Sequence, residues 1–228
     1  MLVIENLSKI YPNGSAALDN VSIKIETGEF VFLVGSSGAG KSTLMKAIFR
    51  EVVPTNGKIY IDSKDILSIP NSEIPFLRRK LGIIFQDYRL LPERTIYDNV
   101  AFAMQVIEEP YFRIKRRVRS VLNLVGLKGR EDAYPNELSG GEQQRVAIAR
   151  AIVNGPEIVI ADEPTGNLDP DTSNEIMNIF ERINCTGTTI IMATHDKEIV
   201  DSRGKRVIAL ENGSIVRDDR EGIYSYEC

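Results

Sequence analysis

The sequence predicts an α/β fold with a mixed-sheet core and an inserted helical lobe, and three observations carry that reading. Short apolar runs without alternation recur along the chain at Phe30–Val34, Leu81–Phe85, Ile158–Ala161 and Thr189–Ala193. Such runs fit parallel strands covered on both faces. Strands of a different kind, alternating or hairpin-linked, lie towards the two ends. Between them, the stretch from about Asp87 to Gly155 holds no convincing strand.

Taken in order, Val21, Ile23 and Ile25 alternate with Ser22, Lys24 and Glu26, the mark of a half-exposed strand. The runs Phe30–Val34 and Leu81–Phe85 follow. In the lobe, Val118, Val121, Leu122 and Val125 fall at i, i+3, i+4 and i+7, which is a helical period. Ser139 with Glu142 forms a capping box ahead of a helix of small apolar residues, Val146, Ala147, Ala149 and Ala151. After the run Ile158–Ala161, Ile176, Ile179, Phe180 and Ile183 define another helix, with Thr172 and Glu175 offering a capping box at its start. Last, Arg206–Leu210 and Ser214–Arg217 flank Asn212-Gly213, a hairpin signal. One domain is expected, with an α/β core over about 1–86 and 156–228 and a helical subdomain over about 87–155. Antiparallel strands at both ends, with parallel ones between, suggest a mixed sheet.

Composition narrows the function classes. The 228 residues carry 28 Lys and Arg against 32 Asp and Glu, a net charge of −4, which argues against nucleic acid as the main partner. One His and two Cys offer no metal-type cluster and no disulfide framework. Cys185 reads as a small buried hydrophobe. The longest apolar runs are far shorter than the roughly twenty residues a spanning helix needs. Met1–Glu5 lacks the basic and apolar regions of a signal peptide, so a cytosolic location is expected.

The chemistry begins at Gly35-Ser36-Ser37-Gly38-Ala39-Gly40-Lys41-Ser42-Thr43, a complete P-loop between a buried strand and an apolar helix starting near Ser42. Glycines there let backbone N–H groups face phosphates, and the helix N-terminus favours the anion. Lys41 then supplies a charge to the β and γ oxygens, and the Ser42 hydroxyl a ligand for Mg²⁺. This is a nucleoside triphosphate site. Asp162 and Glu163 follow the strand Ile158–Ala161. On their own they could be acids at an exposed strand end; with a P-loop they suit Mg²⁺ (Asp162) and the attacking water (Glu163). Gln86 and His195 follow two further apolar strands. Parallel strands bind ligands beyond their carboxyl ends, so all four strands should deliver these groups to one edge. A second anion-type helix start, Ser139-Gly140-Gly141, has no evident use within one chain that has one P-loop. A second copy of the chain, bound on ATP, supplies the use.

With Walker A (Gly35–Thr43), a Q-loop glutamine (Gln86), Leu138-Ser139-Gly140-Gly141-Glu142-Gln143, Walker B with its glutamate (Ile158–Glu163), a D-loop ending at Asp169 and His195 in this order, the chain resembles the ATPases of ABC transporters. The resemblance spans nearly the whole chain. It implies a homodimer with ATP and Mg²⁺ between one P-loop and the signature Ser139, Gly140, Gly141 and Glu142 of the other copy. It also implies that Tyr11 stacks on adenine, that Gln86 serves Mg²⁺ and water, and that His195 meets the γ-phosphate. Without it, Tyr11 is a half-buried aromatic.

Within that family, Gln86–Val100, Phe49–Thr55, Asn136–Arg145 and the ending Glu221–Glu227 resemble the FtsE group of bacterial cell division. Ser36 departs from that group, which usually carries proline there. The resemblance implies a separate membrane partner, FtsX, a peripheral place on the cytoplasmic face of the membrane, and control of cell-wall hydrolases. The ATPase subunits of lipoprotein-releasing and macrolide exporters are the alternative. The basic run Arg113–Arg119 reads either as a solvated helix face or as a surface for anionic lipid.

Overall fold

The computed structural model describes residues 1–224, so the end of the FtsE-like tail, Ser225–Glu227, and Cys228 lie outside the described residues. The chain runs β1 (Leu2–Ile10), β2 (Ala16–Ile25), β3 (Phe30–Val34), α1 (Lys41–Ile48), β4 (Asn56–Ile61), β5 (Lys64–Asp65), α2 (Ile74–Arg79) and β6 (Leu81–Ile84). It continues through α3 (Ile96–Gln105), α4 (Tyr111–Leu124), α5 (Gly140–Ile152), β7 (Ile158–Asp162), α6 (Pro170–Asn184), β8 (Thr189–Ala193), α7 (Lys197–Arg203), β9 (Arg206–Glu211) and β10 (Ser214–Asp219).

The expected mixed sheet is present, but the antiparallel strands towards the N-terminus stand apart from it in a second sheet. A six-stranded sheet has the order β10-β9-β3-β8-β7-β6, parallel except for the β9–β10 hairpin. The antiparallel strands β2-β1-β4-β5 form a sheet of their own. The burial patterns account for the separation. In β2 the buried residues Val21, Ile23 and Ile25 alternate with exposed ones, so only one of its faces is dry. Every residue of β3 and β8 is buried, which requires cover on both faces.

That cover comes in two apolar layers. Phe30, Phe32 and Val34 of β3 point into a core shared with α3, α4, α5 and α6, and Val159, Ala161, Ile190 and Met192 join them. Val31 and Leu33 point the other way, with Ile158, Ile160, Ile191 and Ala193, into a core shared with α1 and the four-stranded sheet. The period of two in strand side chains turns each continuous apolar run into two faces.

Two local expectations shift. α6 starts at Pro170 rather than near Thr172, because the Asp169 carboxylate accepts the Thr172 N–H at 2.9 Å and so caps the helix. Proline loses nothing at the first helical position, where its missing donor would be unpaired anyway. Cys185 is exposed, not buried: it lies just past α6, beyond the last inward residue of the stripe, Ile183.

After β6 the chain descends into the helices through a segment pinned by Asn99 of α3. Its side chain, fully buried, accepts the Leu91 N–H at 2.8 Å and donates to the carbonyls of Leu91, Arg94 and Thr95. Replacing Asn99 by Ala should cost about 1–3 kcal/mol, the penalty of buried backbone groups left unpaired. Urea unfolding of the variant against the parent measures it.

Candidate functional site

β3, β8, β7 and β6 are neighbours in that order and run parallel, so their carboxyl ends share one sheet edge. β3 leads into Gly35–Thr43, β8 to Thr194 and His195, β7 ends on Asp162 ahead of Glu163, and β6 is followed by Phe85 and Gln86. The α1 helix begins at Lys41, one residue before the start read from sequence.

The loop Gly35–Gly40 is wedged between backbone on two sides. A Cβ on Gly40 (φ 106°) would stand 2.4 Å from the Ala17 carbonyl oxygen, and one on Gly35 2.3 Å from that of Leu210. No larger residue fits either place. The tip of the β9–β10 hairpin fastens the loop, its Gly213 N–H donating to the Ala39 carbonyl at 3.1 Å. Lys41 is only 8% exposed, and its Nζ donates to the carbonyls of Gly35 (2.7 Å) and Ser36 (3.0 Å). Both partners are neutral oxygens, and among the described residues Lys41 forms no ion pair, so the loop attracts an anion.

A cavity of about 500 Å³ opens there, lined by every residue from Gly35 to Thr43, by Glu163 and His195, and by Ala17 and Tyr224. Glu163 has φ 48°, a left-handed backbone uncommon outside glycine. Its N–H donates to the Ala193 carbonyl at 3.0 Å, and its Oε2 lies 3.2 Å from His195 Nδ1. Glu163 is thus tied through its main chain to the end of β8 and through its carboxylate to the histidine that follows it. The Asp162 carboxyl is pushed above the usual carboxylate range, chiefly by burial and further by Glu163; the Ser42 hydroxyl bonded to it, Lys41 and Lys46 act in the other direction.

The other predicted residues lie outside this cavity. Tyr11 follows β1, and its hydroxyl is 3.3 Å from Thr43 Oγ1 at the far end of the P-loop. Gln86 is exposed, and at roughly 4.8 Å per strand its edge position is about 14 Å from β3. Ser139 caps α5 in the predicted box: its Oγ accepts the Glu142 N–H at 3.2 Å, and its own N–H donates to Glu142 Oε2 at 2.9 Å. That bond lowers the Glu142 pKa. Gly140 and Gly141 open α5 just after it, and Asp169 caps α6.

Sequence reasoning passed over Arg150. From α5 its guanidinium donates to the carbonyls of Tyr88 (2.7 Å) and Arg89 (2.5 Å), in the segment just after Gln86. Both acceptor residues have positive φ, 55° and 49°. Burial pulls the Arg150 pKa down. The signal was an arginine set between alanines, Ala149 and Ala151, on an otherwise inward helix face.

The model of the ABC transporter family matches residues 18–166, about two thirds of the chain. The chain belongs to that family. It is an ATPase cassette, and relatives and solved structures agree on both points. The cassette is 58% identical over 228 residues to the cell division ATP-binding protein FtsE of Bacillus subtilis, with all of both chains covered. It is 50% identical to FtsE of Mycobacterium tuberculosis, over 100% of this chain and 99% of the relative. Its fold is similar to the dimeric post-hydrolysis form of the ATP-binding cassette MJ0796 bound to ADP and Pi, with TM-score 0.88 and 35% identity, covering 97% and 99% of the two chains. CbiO1 of Clostridium perfringens, part of the transporter complex cbiONQ, matches with TM-score 0.90 and 34% identity over 96% of this chain and 88% of that one.

The raised pKa of Asp162 has a consequence for stability. Its carboxyl binds a proton more tightly in the folded than in the unfolded chain, so the folded cassette loses stability as pH rises from the ordinary value of 3.8 through the raised one. Asp162→Asn should therefore raise the Tm of the nucleotide-free cassette at pH 7, with the gain shrinking as the pH falls towards 4. Calorimetry of both proteins across that range checks the sign.

Proposed function

We propose that two copies of this cassette close on ATP and drive a membrane partner of the bacterial division machinery. The observation that carries the hydrolytic half is the Glu163–His195 pair at 3.2 Å on the wall of the P-loop cavity. Full-length identity of 58% to an FtsE supports the cell-division half.

On binding, Lys41 exchanges the Gly35 and Ser36 carbonyls for β and γ oxygens of ATP, and the N–H groups of the loop take the remaining phosphate oxygens. Tyr11 stacks on adenine beside Thr43. Mg²⁺ suits the donor set present. The Ser42 hydroxyl lies close enough to Asp162 to act on its carboxyl, and a single carboxylate with a hydroxyl fits an ion that keeps water and phosphate oxygens as its other ligands. Gln86 would complete the set. When bound, the ion neutralises charge on the phosphates. Glu163 accepts a proton from the attacking water, while His195 holds the carboxylate through Nδ1 and faces the γ-phosphate.

The γ-phosphate also draws in Ser139–Gly141 of the second copy, at the start of its α5, with Asp169 near the seam. In this reading the core, about 1–86 and 156–228, and the helical subdomain, about 87–155, shift against each other as the phosphate comes and goes. The shift passes to FtsX in the membrane, the cassette sitting peripherally on its cytoplasmic face, and from there to cell-wall hydrolases outside.

Glu163→Gln should retain ATP binding while lowering turnover by about 10²–10⁴, the usual worth of a positioned base. A phosphate-release assay at saturating ATP reads it, and unchanged turnover would remove Glu163 from the mechanism. Ser139→Arg should abolish ATP-dependent dimerisation in the Glu163→Gln background. Light scattering that still found an ATP-induced dimer would rule out the shared site.

A further inference from the structure

The basic run on α4 divides in the structure. Arg113 pairs with Glu109 at 3.4 Å, and Arg117 turns inward, its Nε donating to the Val153 carbonyl at 3.0 Å. Lys115, Arg116 and Arg119 are exposed and, among the described residues, form no ion pair. Phe112, Arg116 and Arg119 occupy the side of α4 away from the buried stripe Ile114, Val118, Val121 and Leu122, and Lys115 stands on its flank. These three cations and Lys128 line a groove of about 810 Å³. Tyr97 lines it too, its hydroxyl enclosed and without a hydrogen-bond partner.

At the start of the same helix, Tyr111 and Phe112 are 71% and 68% exposed. Two large aromatic rings facing water beside three unpaired cations is an unusual surface for a chain whose net charge is −4. Rings and cations together are what a bilayer interface accepts: rings at the headgroup level, ammonium and guanidinium groups on phosphate oxygens. A nucleic-acid duplex would take the cations and leave the rings without a role, and the net charge of −4 argues against a single strand.

We infer that this face of α4 binds the headgroups of anionic phospholipids, through Lys115, Arg116 and Arg119 with Phe112 alongside. The cassette then holds to a bilayer in its own right, whatever protein partner it has. The inference does not depend on the cell-division reading.

The test is flotation of the purified full chain with vesicles of phosphatidylglycerol and phosphatidylcholine, compared with vesicles of phosphatidylcholine alone. Each cation close to an anionic surface is worth about fivefold in partitioning, so the triple variant Lys115→Gln, Arg116→Gln, Arg119→Gln should bind the anionic vesicles about a hundredfold less. Its ATPase turnover should equal the parent's, because none of the three lies at the nucleotide cavity. High salt should release the parent, and Phe112→Ser should weaken binding at every salt concentration. Equal binding of the parent to both kinds of vesicle overturns the inference. So does a correctly folded triple variant that floats like the parent, or binding seen only when a membrane protein is present in the vesicles. Should the triple variant misfold, the salt dependence of the parent and the single variant Arg119→Gln decide the question in its place.

Discussion

The ammonium of Lys41 is a cation held nearly out of water by two carbonyl oxygens of its own loop and, among the described residues, by no ion pair. A charge so placed is tolerable only where the surrounding backbone is fixed, and much of the fold serves to fix it. β3 is paired on both sides, by β8 and β9, and buried on both faces. Ala17 and Leu210 press on the loop through their carbonyls, and the hairpin tip at Gly213 closes it. The same rigidity makes the loop a ready host for phosphate, since the favourable field exists before the ligand arrives.

The carboxylates are arranged by similar means. Glu163 is held in a left-handed conformation by its bond to β8 and by His195, while Asp162, one residue earlier, is buried enough to resist ionisation. Adjacent acids in one strand end thus acquire different tasks from their surroundings, one kept close to the Ser42 hydroxyl and one facing the cavity. The inserted helices contribute through packing. They share a single apolar core with Phe30, Phe32 and Val34 of the P-loop strand, so the strand that carries the phosphate loop and the helices that carry Ser139 stand on the same foundation.

Much of this was readable in the chain. Buried parallel strands announce themselves because both their faces are dry, and the P-loop, Asp162-Glu163 and His195 follow three of them directly. Sheet membership was harder to read. β2 and the β9–β10 hairpin give comparable local signals, yet only the hairpin joins the parallel strands, since pairing is decided between segments far apart in sequence. The true start of α6 depended on Asp169 outcompeting Thr172 as a cap, and Cys185 escaped burial because the stripe ended two residues before it. Gln86 follows its strand as predicted, but sequence carries no measure of how many strands separate it from the P-loop. Arg150 stayed hidden for a related reason: its partners are main-chain carbonyls about sixty residues away, and carbonyls have no sequence signature.

That arginine binds two parts of the molecule into a single lever. Tyr88 and Arg89 come just after Gln86, and Arg150 stands on the helix that Ser139 caps. Two short hydrogen bonds are the side-chain tie between them. The start of α5 and the segment beside Gln86 therefore share one anchor, and a substitution at Arg150 would loosen both at once.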